Sequence, residues 1–315
     1  MRILDYAWHQ PHSYRLMQAL HDCEFHFLKV GPRTWRDSLR PKTLNFKGFV
    51  KAYEPGEYDV VLLHLDQWCD RYALRGYPYR TVNGLVRDIP KVLIMHGTPD
   101  GEENRQRILK MIGDDNYVVY NSRQACREWD LGPERSRAII HGYNVDEFHS
   151  EKTRRTQAIT VCSGGDISRE YHGIPLLERM KRDVPALTWI GERGDIPFFN
   201  NYEKYRNYLA SALIYFHPGQ RSPMSGARTE AMLSGCCIVS TNNQDAEDYI
   251  EHGVTGFLFN DYAELRDILR TLLAEPRQAY EVGKRGREAA RETFTLNHLR
   301  QQWLSLFNDL EVSQG

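Results

Sequence analysis

Apolar residues along this chain fall into short runs, and the polar stretches between them carry helical spacing. In the first half the runs are "RILDYAW" from Arg2, "EFHFLKV" from Glu24, "YDVVLLHL" from Tyr58, "KVLIMHG" from Lys91, "NYVVYNS" from Asn116 and "RAIIHGY" from Arg137, with a helix from Ser13 to His21. Several are continuous, without polar alternation, as strands buried on both faces of a parallel sheet require. The second half repeats the grammar: "AITVCSGG" from Ala158, a helix over Gly173 to Arg182, "ALTWIGE", "ALIYFHP", a short helix after Ser225, "CCIVSTN" and "TGFLF". After Asp261 the pattern is helical to the end, and "FTLNHLRQQWLSLFNDL" has apolar residues three and four apart.

This alternation predicts an α/β protein of two Rossmann-like, doubly wound domains with a C-terminal helical tail. The polar segment "DEFHSEKTRRTQ" from Asp146 to Gln157 reads as a linker. The expected division is 1–150 for a first domain, 151–285 for a second, and 286–315 for a helix that packs back on the first.

Composition narrows the function classes. With 41 Lys plus Arg against 42 Asp plus Glu, a formal charge of −1 gives no overall pull toward nucleic acid or anionic lipid. The six cysteines include no C-x-x-C pair and no charged-then-apolar leader opens the chain, so a cytoplasmic protein is expected. The apolar runs are strand-length, far short of the ~20 residues of a membrane span. One local bias stands out. From Lys29 to Lys51 seven bases (Lys29, Arg33, Arg36, Arg40, Lys42, Lys47, Lys51) face one acid, Asp37, with Trp35, Phe46 and Phe49 between them. That segment reads either as a solvated loop or as a patch for an anionic acceptor or the inner face of a membrane.

The chemistry concentrates at "SGARTEAMLSGCCIVS". Ser225 stands at an N-cap position, Gly226 leaves room for a ligand, Ala227 follows, and Gly235 closes the helix. Free first-turn amides and the positive end of the helix dipole suit a phosphate. Glu230, one turn in, either accepts hydrogen bonds from two neighbouring hydroxyls, as on a ribose, or merely complements the dipole. In "CSGGD", Gly164 and Gly165 would let backbone approach a pyrophosphate.

From Ala212 to Phe259 the chain resembles the donor-binding half of the GT-B glycosyltransferases, specifically retaining family 4. The resemblance rests on "ALIYFHP" with Pro218, Glu230 followed by Ala231, Gly235, the strand "CCIVST", and "IEHGVTGFLF" beyond it. "IIHGYNVDEF" is similar to the family's inter-domain boundary, with Val145 and Asp146 in place, Asn144 where glycine is usual, and Phe148 two positions early. The resemblance implies domains facing a cleft, a nucleotide-diphosphate sugar as donor, transfer with retention to a glycan, lipid-linked or other small acceptor, and no permanently bound cofactor. It also implies a ribose contact for Glu230 and a contact between His96 and the transferred sugar.

Two departures accompany it. The family's first glutamate falls on Ser222, and its diphosphate-gripping arginine and lysine fall near Asp166 or Ile167 and on His172. A buried diphosphate needs other cations. The candidates are Arg228, then Arg221, both flanking the helix start, and Arg169 in the loop after the first strand of the second domain. In the first domain, Trp8, His9, His12 and Ser13 replace a glycine-rich loop and suggest a polar wall. His96, ending a strand, sits at the edge where doubly wound sheets place ligands, against the plainer reading of a structural histidine. His64 and Asp66 occupy another such edge, and His141 reads as a hinge residue. No metal-ligand spacing, Walker loop or GxSxG elbow occurs. A nucleotide-sugar epimerase or phosphorylase, or an inactive nucleotide-sugar-binding protein, fits the same scaffold.

Overall fold

The structure is a computed structural model that describes residues 1–151, 155–163, 169–221, 224–243 and 245–312. The chain divides into two compact units, Met1–Tyr143 with Leu296–Gly315, and Asn144–Thr295.

The first unit is built on a seven-stranded sheet. Its strands are β1 (Arg2–Asp5), β2 (Glu24–Leu28), β3 (Phe46–Val50), β4 (Val60–Leu65), β5 (Lys91–Met95), β6 (Tyr117–Tyr120) and β7 (Ser136–Ala138). All pair in parallel, in the order β3-β2-β1-β4-β5-β6-β7. Every residue of β4 and β5 is buried, as expected for central strands covered on both faces. The crossover helices are α1 (Gln10–Ala19), α2 (Ala73–Leu85), α3 (Glu102–Ile112) and α4 (Arg123–Trp129). The chain's last helix, Leu296–Asp309, buries Leu299, Trp303, Leu306 and Phe307, and Arg300 grips Asp22 beyond α1 with two bonds of 2.6 and 2.7 Å. The chain leaves β1 for β2 and β3 on one side and returns to β4 on the other. The switch point between β1 and β4 is where such sheets leave an opening at their carboxyl edge.

The segment from Lys29 to Lys51 is not a solvated loop throughout. Its end is the edge strand β3, and Trp35 and Arg40 are buried. The Gln10 amide holds the Arg36 backbone (2.6 and 3.0 Å), and the Trp35 indole donates to Arg40 O (2.9 Å). Lys29, Arg33, Arg36, Lys42, Lys47 and Lys51 remain exposed, as do Leu44 and Phe49.

The second unit carries a five-stranded parallel sheet, β8 (Arg155–Val161), β9 (Leu187–Ile190), β10 (Ala212–His217), β11 (Cys237–Thr241) and β12 (Phe257–Phe259), in the order β12-β11-β10-β8-β9. Around it lie α5 (Ile174–Asp183), α6 (Tyr202–Ser211), α7 (Gly226–Leu233), α8 (Tyr262–Ala274) and α9 (Pro276–Thr293), which makes the chain's last helix α10. The switch point lies between β8 and β10. The linker expected from Asp146 is partly built into this unit. Val145–Glu147 form a 3₁₀ turn, and the carbonyls of Val145, Glu147 and Phe148 accept from Arg291 (2.7 Å), Arg206 (2.5 Å) and Arg287 (3.2 Å). Those three arginines explain why the boundary falls at Asn144 and not after the polar run.

Candidate functional site

At the carboxyl edge of the first sheet, the strand ends and the start of α1 bring five histidines together. Asp5, the last residue of β1, is fully buried and accepts three hydrogen bonds. They come from Tyr6 N (2.6 Å), Ser13 Oγ (2.8 Å) and the fully buried His64 Nε2 (2.8 Å). His64 in turn meets His96 through Nδ1 and Nε2 at 2.9 Å. His64 is fixed from behind by Tyr6, whose hydroxyl donates to His64 O (3.0 Å) and accepts from His64 N (2.7 Å). Trp8 stacks on the His96 ring at 5.0 Å and His9 does so at 4.9 Å. His12 Nδ1 lies 3.4 Å from His141 Nε2. Burial disfavours the charged form of four of these rings: it pushes His9 down to about 3 and holds His12, His96 and His141 well below the ordinary value.

The same edge collects polar groups that find no hydrogen bond among the described residues: Trp8 Nε1, His12 Nε2, the Gln67 amide, Thr98 Oγ1, Asn121 Oδ1 and His141 Nδ1. They follow β1, β4, β5, β6 and β7 in turn. Unsatisfied buried polar atoms cost about 1–3 kcal/mol each, and these gather at one edge of the sheet. Asp66 belongs to a different arrangement. Its carboxylate pairs with Arg75 and accepts from Trp68 N (3.0 Å), which shapes the turn after β4.

At the carboxyl edge of the second sheet, α7 starts beside the end of β10. Ser225 sits at the N-cap position but makes no side-chain cap bond, contrary to the capping expected of a serine there. Its carbonyl opens the helix by accepting from Thr229 N (3.1 Å), while the N–H groups of Gly226, Ala227 and Arg228 have no acceptor among the described residues. Ser225, Gly226 and Ala227 are half-buried. Glu230 is 3% exposed, and its Oε2 accepts from Tyr205 of α6 at 2.8 Å. Gly173, which opens α5 at φ +68°, lies so close to Pro218 that a Cβ there would collide with the Pro218 carbonyl. The loop before α5 and the loop after β10 therefore meet.

The arginines are placed differently from one another. Arg228 is 3% exposed and directs its guanidinium inward, to Asn243 Oδ1 (3.0 Å) and the buried Asp245 Oδ1 (3.1 Å). Burial pushes the Asp245 carboxyl up, and Arg228 opposes that shift. Arg169 gives one terminal nitrogen to both carboxylate oxygens of Glu178 at 2.6 Å. Arg221, half-buried in the loop from β10 to α7, donates its backbone N–H to Tyr171 O at 3.3 Å. His172 packs edge-on against Tyr171. Gly164, Gly165, Asp166, Ile167 and Ser222 lie outside the described residues.

Two residues escaped the sequence reading. Asp5 ends an apolar strand at the switch point, and a lone acid in that position is the signal that would have found it. His217 ends β10 before Pro218. It is 6% exposed, held well below the usual histidine value by burial and by Arg228, and neither ring nitrogen has a partner among the described residues. No group of three or more metal-ligating side chains able to hold a metal ion occurs among the described residues.

Residues 188–289 match the family described as Glycosyl transferases group 1. The chain is 29% identical over 117 residues to the alpha-maltose-1-phosphate synthase of Mycolicibacterium smegmatis, covering 35% of this chain and 30% of that relative. It therefore spans about a third of the length of that curated relative. Among solved structures, a sucrose-phosphate synthase from Thermosynechococcus elongatus superposes with a TM-score of 0.72 at 15% identity, covering 98% of both chains. Anabaena HepE, solved in complex with UDP and glucose, also reaches 0.72, at 14% identity and 98% of both chains. The chain thus shares the GT-B fold of these structures, and its segment 188–289 matches the model of the Glycosyl transferases group 1.

Proposed function

We propose that this chain is a glycosyltransferase that takes a sugar from a nucleotide-diphosphate sugar, with retention and without a metal. The observation that carries the reading is the start of α7, where uncapped first-turn amides at Gly226 and Ala227 stand beside the end of β10 with the carboxylate of Glu230 one turn in. The amides and the helix dipole suit the diphosphate, and Glu230, steadied by Tyr205, suits the ribose. HepE was solved with UDP and glucose, which makes uridine donors the first to try.

In this mechanism the protein supplies position and charge neutralisation as the diphosphate leaves. Arg221 sits in the loop that leads into α7 and is the cation we assign to the leaving group. Arg228 is engaged by Asp245 and Asn243, so its role becomes bracing the loop after β11 against α7. Arg169 orders the start of α5 through Glu178. The acceptor is a glycan, lipid-linked or other small hydroxyl compound. The exposed bases between Lys29 and Lys51, with Leu44 and Phe49, supply contact to an anionic acceptor or membrane surface. No helix among the described residues is long and apolar enough to cross a membrane.

The test is to incubate the protein with UDP, GDP, ADP and dTDP sugars and follow release of the nucleotide diphosphate, with and without chelator. Chelator-insensitive release from one nucleotide class supports the reading, and no release from any of them overturns it. A second reading has its own observation: with Arg228 and Arg169 both matched to acids, the chain would bind a nucleotide sugar without turning it over. Stabilisation by a donor without release selects that reading.

A further inference from the structure

The hydrogen bonds around Asp5 have a direction. Its two oxygens accept from Tyr6 N, Ser13 Oγ and His64, and a carboxylate has no proton to give back. His64 must therefore carry its proton on Nε2, where it meets Asp5. If His64 is neutral, its Nδ1 is bare, and the atom 2.9 Å away, His96 Nε2, is then the donor. A neutral His96 with its proton on Nε2 has a lone pair on Nδ1. Each tautomer is fixed by the one before it.

We propose that Asp5 and His64 are positioning residues that set His96 as an Nδ1 hydrogen-bond acceptor for a substrate hydroxyl at the carboxyl edge of the first sheet. The surroundings fit a neutral, hydroxyl-rich ligand. His96 is half-buried while the two groups behind it are fully buried, so the chain of bonds runs from the interior to an accessible end. The indole of Trp8 stacks beside His96, and such a face suits the apolar side of a sugar ring. The titratable groups that act on His96 from the neighbouring elements are His9 at the N-cap of α1, His12 of α1, His64 of β4 and His141 after β7, all imidazoles. A cationic His96 would have no lone pair to offer, and burial among other imidazoles disfavours that form.

This inference rests on the glycosyltransferase reading for the identity of the hydroxyl, but not for the tautomer. Nitrogen-15 NMR of histidine-labelled protein at neutral pH reads the tautomer directly, without substrate. The expected spectrum shows His96 neutral, with a protonated Nε2 and a bare Nδ1. A proton on Nδ1, or a cationic ring, overturns the proposal. The variant His64→Gln keeps a donor toward Asp5 and severs the link to His96. It should leave His96 as a mixture of tautomers and lower turnover about 10- to 100-fold, while nucleotide binding measured by calorimetry stays at the parental value. Parental turnover, or an unchanged His96 tautomer in that variant, overturns it. Should the parent release no nucleotide from any donor, the transferase reading falls, and the wild-type spectrum still decides whether Asp5 sets His96.

Discussion

Glu230 and Arg228 lie two residues apart on α7, both 3% exposed, yet their partners give them different work. The Glu230 carboxylate accepts from Tyr205, which orients it. Glu230→Ala should weaken binding of the nucleotide by about 1–3 kcal/mol with the fold intact, because two ligand hydroxyls lose their acceptor. Calorimetry that finds parental affinity removes the ribose role. Arg228 faces a carboxylate that is itself buried, so Arg228→Ala leaves Asp245 without its cation. The expected result is a loss of stability of about 3 kcal/mol in urea unfolding. Arg221→Ala should instead lower donor turnover about tenfold under saturating donor. If the two arginine variants exchange these outcomes, the assignment of brace and leaving-group cation is reversed.

At the scale of elements, α7 is fixed at its far end as firmly as it is open at its near end. Gly235, at φ +79°, donates to Met232 O (2.9 Å) and Cys236 donates to Ala231 O (3.0 Å), the two bonds of a Schellman closure. Gly235→Ala should therefore cost about 1–2 kcal/mol of stability by urea unfolding, and no loss would mean the turn relaxes freely. That glycine, the helix α7 before it and the apolar run of β11 after it were legible in the sequence, since each is dictated by local spacing. The long continuous runs announced β4, β5 and β10 for the same reason. The edge strand β3 was not legible, because its burial is partial and Lys47 and Gly48 interrupt it. Helices α2, α3, α4 and α6 were passed over, their polar faces having hidden the apolar stripe. Of the candidate site, local pattern could single out His96 after β5 and Glu230 one turn into α7, whereas the inward turn of Arg228 depends on Asp245, 17 residues away, and the hydrogen bonding of Asp5 on His64, 59 residues away. No local pattern carries such pairings.

For the molecule as a whole, the buried imidazoles link stability to pH. His9, His12, His96, His141 and His217 are all depressed below 6.5 in the folded state, chiefly by burial. Below pH 6.5 the unfolded chain binds protons at these sites and the folded chain does not. Their contribution to stability is therefore complete above pH 6.5 and is lost as pH falls toward their folded values. Between pH 7.5 and 5.5 the urea midpoint should drop, with on the order of 1 kcal/mol at stake for each histidine per pH unit. An unchanged midpoint would mean these rings take up protons in place.

The central claim is that a nucleotide diphosphate is held where α7 begins. Hydrogen–deuterium exchange on the intact chain, with and without UDP-glucose, tests it most directly, because exchange reports on those backbone amides themselves. The account predicts slowed exchange concentrated in peptides covering Gly226 to Glu230 and the adjoining end of β10. Ligand binding seen by other means with exchange there unchanged, or protection confined to other segments, would contradict it.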